Sequence, residues 1–153
     1  MTTNEILTKQ NFVTKILLKS GSNELSKSLK VKVMGMRIEY AKVRKQFDED
    51  VQEFIKGVST ERLGELQQIP EEKRTEEEKA ELKGLIDKVN SEYSEYVIER
   101  GKEEISIEDK KFTTDEYNEI VEVNADNDIE INGQKINAAD FLEILYTLFV
   151  EED

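Results

Sequence analysis

Asp126, Asp128, Glu130, Asn132 and Gly133 have the residue types and spacing of a calcium loop, and helix-like patterns flank them on both sides. With Asp128 as the first ligand, Glu130, Asn132 and Gly133 fall at the third, fifth and sixth positions. The register then fails: Lys135 stands where an apolar residue belongs, and Ala139 stands where a carboxylate must grip the ion through both oxygens. A β-hairpin accounts for the same residues without an ion, because Asn-Gly accommodates the positive φ angles of a type I′ turn. No metal ligand and no cofactor is therefore assigned.

The densest carboxylates are Glu76, Glu77, Glu78 and Glu81. A hydrolase needs two acids facing each other across a cleft, one of them desolvated so that its pKa rises, and an exposed helix face supplies neither condition. A solvated charged surface is the expectation. His, Cys and Trp are all absent. That removes Ser-His-Asp and Cys-His nucleophiles, imidazole acid-base catalysis and zinc sites built from imidazole or thiolate. No Gly-rich phosphate-cradling motif is present either. The chemistry points away from an enzyme.

Charge is divided along the chain. Residues 1–47 carry ten Lys and Arg against three Glu, a net +7, whereas residues 48–153 carry twelve against thirty-two, a net −20. The halves attract, either inside one molecule or between the basic part of one subunit and the acidic face of the next. Lys27, Lys30, Lys32, Arg37, Lys42, Arg44 and Lys45 form the basic stripe, opposed nearby only by Glu39. They are the candidate contacts for an anionic partner, set against pairing with the protein's own carboxylates. An overall charge of −13 disfavours nucleic acid as that partner.

Helices must position these groups. Thr2 and Glu5 have capping-box spacing, and a first helix is predicted over residues 4–20, with Ile6, Val13, Ile16 and Leu17 on one face and Gly21 at its end. From Leu25 to Val58 apolar residues recur every three or four positions, which predicts one long helix; the main alternative is a break or kink at residues 30–36, where Gly35 interrupts. A short helix follows over residues 61–68, started by Ser59 or Thr60 and closed before Pro70. Thr75 with Glu78 starts an acidic helix that carries Leu82, Leu85, Ile86, Val89, Tyr93, Tyr96 and Val97 and reaches residue 101. It is the antiparallel partner expected for the long basic helix.

Ile105 and Ile107 alternate with polar residues as in a short strand. Thr113 and Glu116 cap a helix over residues 114–123, the Asn-Gly hairpin follows, and Asn137 starts a last amphipathic helix. That helix is too apolar to stand alone in water. Phe141, Leu145, Leu148 and Phe149 are its candidate interface residues.

The expected fold is mainly α with a small β element: a long antiparallel helix pair, a hairpin or three-strand sheet, and the C-terminal helix. One domain of 153 residues is expected, with basic helices over 1–58, an acidic helical segment over 59–101 and a small α+β part over 102–153. No apolar run reaches membrane-spanning length and no signal-peptide core is visible, so a soluble protein without membrane contact is expected.

The long charged helix, EEEKAELKGLIDKVNSEY (76–93), the β element at Ile105–Ile107 and INGQKINAADFLEILYTLFV (131–150) together resemble small accessory proteins of tailed bacteriophages. The resemblance covers about the last half of the chain and carries over no catalytic residues. It implies a head, connector or tail-associated component, located in the virion or the host cytoplasm. The function expected is a non-enzymatic protein–protein interaction subunit of a homo- or hetero-oligomeric assembly. The alternative is an acidic inhibitor that presents residues 71–81 and 48–53 where a host enzyme expects nucleic-acid phosphates.

Overall fold

The computed structural model describes residues 1–16, 25–124 and 128–151. Its order of elements is α1 (Thr3–Ile16), α2 (Lys27–Val58), α3 (Glu61–Gln68), a 3-10 turn (Glu71–Lys73), α4 (Glu76–Lys102), α5 (Thr114–Asn124), β1 (Ile129–Ile131), β2 (Gln134–Ile136) and α6 (Ala138–Phe149). The chain is thus mainly α with a small antiparallel β element. It divides into two compact units, Met1–Arg44 with Glu104–Asp153, and Lys45–Glu103.

Most helix starts are set by residues within four positions. Thr2 and Glu5 close a reciprocal box: the Thr2 amide donates to Glu5 Oε2 at 2.6 Å, and the Glu5 amide donates to Thr2 Oγ1 at 3.3 Å. Thr113 and Glu116 do the same at 3.0 and 3.2 Å. Thr60, Thr75 and Asn137 accept from the amides of Leu63, Glu78 and Asp140 at 3.1, 3.1 and 2.8 Å. Each bond satisfies an amide that the first turn leaves without an intrahelical partner. The Leu17 packing position and the Gly21 helix end lie outside the described residues.

In the larger unit, α1 buries Ile6, Phe12, Val13 and Ile16, and α2 contributes Leu29, Val33, Met36 and Tyr40. The hairpin adds Ile129 and Ile131, and α6 adds Phe141, Leu145 and Phe149. Phe12 stacks on Phe141 with centroids 5.8 Å apart, and Phe112 lies 5.3 Å from Phe149. Each such side chain contributes roughly 1.5–3 kcal/mol on burial, which offsets the backbone entropy of the elements that carry it.

No break occurs in α2 at Gly35. A Cβ there would meet nothing within 4 Å, so the glycine serves no close approach, and its helical neighbours outweigh its poor propensity. The sheet has two strands, paired Ile129 to Ile136 and Ile131 to Gln134. Asn132 and Gly133 take φ of 51° and 76°, the left-handed pair that a two-residue turn of this hand requires. The strand expected at Ile105–Ile107 is reduced to a single bridge between Thr2 and Glu104, with the Ile105 amide donating to the Met1 carbonyl at 2.8 Å. Too few residues there face a partner backbone to build a ladder.

In the smaller unit, α3 packs on α4 through Leu63, Leu66 and Leu82. Arg62 grips Glu81 with two bonds of 2.8 and 2.9 Å. The end of α2 runs antiparallel to the end of α4: Asp50 meets Arg100 at 2.9 Å, and Phe54 stacks on Tyr96 at 4.1 Å between centroids. The expected helix pair is therefore formed by this end of α2, while residues 27–44 of the helix serve the core of the larger unit.

Candidate interaction surface

The face expected to bind a partner is interior. Phe141, Leu145 and Phe149 are fully buried in the core of the larger unit, and Leu148 is half-buried against it. The aromatics of α1 and of the segment before α5 take the positions a partner would have filled. What α6 leaves outside includes Ile144 and Tyr146, and Ile144 lies with Asp140, Glu143 and Thr147 beside the edge of Leu148.

The basic stripe is split. Lys32 Nζ donates to Glu116 Oε2 at 2.7 Å and to the Lys111 carbonyl at 2.5 Å, and lies 5.5 Å from the centre of the Phe112 ring. Arg44 donates to the side chains of Gln10 and Asn11 and to the Leu7 carbonyl. Lys45 meets Glu49 at 3.7 Å, and Lys30 also has a partner. Lys27, Arg37 and Lys42 have none among the described residues.

Further in-chain pairs draw on both halves of the sequence. Lys9 donates to Asp109, Lys110 meets Glu39 at 2.9 Å, and Lys111 meets Asp109 at 3.2 Å. Burial works to raise the Asp109 carboxyl, but hydrogen bonds and charge from Lys9 and Lys111 prevail and hold it below the usual carboxylate range. Glu116 is depressed in the same way: Lys32 and the Thr113 amide overcome its desolvation. Much of the attraction between the halves is thus satisfied inside the larger unit.

A second apolar row runs along α2, at positions the sequence reading had not joined. Val31, Met34 and Ile38 are 64%, 52% and 56% exposed, and exposed Ala41 continues the row. Two residues along a helix are roughly 200° apart around it, so Met34 faces away from buried Met36. Met34, Ile38, Ala41 and Arg37 form one wall of an open groove whose other wall is Gln10 and Thr14 of α1. Their spacing of three, four and three was the available signal. It was masked because the helix has two apolar stripes, and Val31 beside Val33 looks like a break in one of them.

Among the described residues no three of His, Cys, Asp and Glu could hold a metal ion. Asp128, Glu130 and Asn132 are exposed on the hairpin, and Asp126 lies outside the described residues. Glu76 pairs with Lys79 at 3.1 Å, and Glu81 is held by Arg62. Among the described residues no helix is long and apolar enough to cross a membrane. No protein-family model, curated protein or solved structure matches the chain.

Proposed function

We propose that the chain is a non-enzymatic protein–protein interaction subunit whose adhesive surface is the outer row of α2. The observation that carries this reading is the exposure of Val31, Met34 and Ile38 on one line, on a helix whose opposite side already builds a core. Scattered apolar residues on a surface are ordinary, but a continuous row beside a groove is the usual mark of a contact site. The phage-like succession of elements makes a head, connector or tail-associated assembly the setting. The rival inhibitor reading has less in support, because Glu81 and Asp50 are each paired with an arginine, Arg62 and Arg100, which offsets part of the negative charge a mimic would have to present.

A photo-reactive side chain in place of Met34 tests this in the cells that make the protein, with exposed Glu130 as control. A covalent protein adduct at position 34 and not at 130 is expected. Equal yields at both positions, or none at 34, would overturn the reading.

A further inference from the structure

We infer that the occupant of the α2 row is the outer face of α6 from a second copy of the chain, a head-to-tail contact between larger units. This rests on the reading of the α2 row as adhesive and names what it binds. The row has a cationic rim of Lys27, Arg37 and Lys42, which are cations without partners among the described residues. An apolar strip so bordered selects an apolar strip bordered by carboxylates.

The larger unit carries such a strip. On α6, Ile144 is 36% exposed, Leu148 is half-buried beside it, and Asp140 and Glu143 flank them around an open groove. The lengths agree. Val31 to Ala41 covers about 15 Å of helix and Asp140 to Leu148 about 12 Å, at roughly 1.5 Å per residue. A two-fold contact of the α2 row with itself is disfavoured, because it sets Lys27, Arg37 and Lys42 against their own copies. The contact is therefore between different patches, so each subunit offers one of each and association continues until a ring closes or a fibre grows.

Light scattering on the purified full chain tests this, with Arg37→Glu/Lys42→Glu on one patch and Glu143→Arg on the other. None of these side chains lies in the core, and thermal melts by circular dichroism confirm that each variant folds. At about 100 µM protein and about 50 mM salt, the wild-type mass is expected to reach at least about twice the 17.7 kDa of one chain, and to fall towards it by about 300 mM salt. Each variant alone is expected at the single-chain mass. Their equimolar mixture must regain at least dimers, because the intact α2 of one variant meets the intact α6 of the other.

A wild type that stays at 17.7 kDa, variants that assemble as it does, or a mixture that does not recover would each overturn the inference. A monomeric wild type with a crosslink from position 34 to a different protein overturns self-association alone and leaves the α2 row as the interaction surface.

Discussion

Lys9 and Asp109 pair across a separation of 100 residues, with the lysine side chain 8% exposed and its ammonium 5.4 Å from the centre of the Phe149 ring. The pair pins α1 to the irregular segment that precedes α5. Its two ends are not equivalent, because the Asp109 side chain is 40% exposed and has Lys111 as a second partner.

Asp109→Ala strands a cation in the core, whereas Lys9→Met leaves a carboxylate that water and Lys111 still serve. Breaking a wholly buried pair costs about 3–5 kcal/mol, and the exposure of Asp109 lowers that. The expected losses are about 2 kcal/mol for Asp109→Ala and under about 1 kcal/mol for Lys9→Met. Urea denaturation of the two variants measures them, and equal losses would contradict the asymmetry.

Acid should weaken the larger unit through Asp109 and Glu116. Both are depressed in the fold, so they bind protons less readily than in the unfolded chain; their stabilisation is present above about pH 4 and is lost as the pH falls through their native values. The urea midpoint is expected to decline from about pH 5 to about pH 3. A shallower decline in Asp109→Ala would identify that residue's share.

Tyr40 is buried and its hydroxyl has no hydrogen-bond partner among the described residues. Burial first, then the charges of Asp109 and Glu39, push its pKa up to about 12. Removing an unsatisfied buried hydroxyl relieves a desolvation cost, so Tyr40→Phe should leave stability unchanged or raise it by up to about 1 kcal/mol. Above about pH 10 the unfolded phenol ionises while the buried one does not. Wild-type stability then falls with a component that the Phe variant lacks. A loss of more than about 1 kcal/mol in Tyr40→Phe would contradict the orphaned hydroxyl.

Met34 and Met36 are two residues apart and have opposite surroundings. Met36→Ala empties a core position and should cost about 2–5 kcal/mol, while Met34→Ala should change stability by no more than about 0.5 kcal/mol. Denaturant curves on the two variants decide the point. A similar loss from both would place Met34 in the core as well.

Local signals in the sequence were legible because their causes are local. Thr2 with Glu5, Thr60, Thr75, Thr113 with Glu116, and Asn137 each act on amides within three residues, and Asn132-Gly133 needs only its own φ angles. The destination of the apolar faces was not legible. Phe141 and Leu145 on a helix too apolar for water demand a cover, and periodicity cannot say whether that cover is Phe12 of the same chain or another molecule. Likewise, the charge split required attraction between the halves without specifying that Lys32 would meet Glu116 while Lys42 would meet nothing among the described residues.

The interrupted make-up of the larger unit sets a timetable for synthesis. Tyr40 and its neighbours leave the ribosome about a hundred residues before Phe141, an interval on the order of 5–20 s at about 5–20 residues per second. Residues 45–103, by contrast, form a compact unit from one uninterrupted stretch. The second-made piece can therefore close first, while Ile6, Val13 and Leu29 wait with greasy surface uncovered. Nascent chains stalled before α6 are where a chaperone would find most to hold.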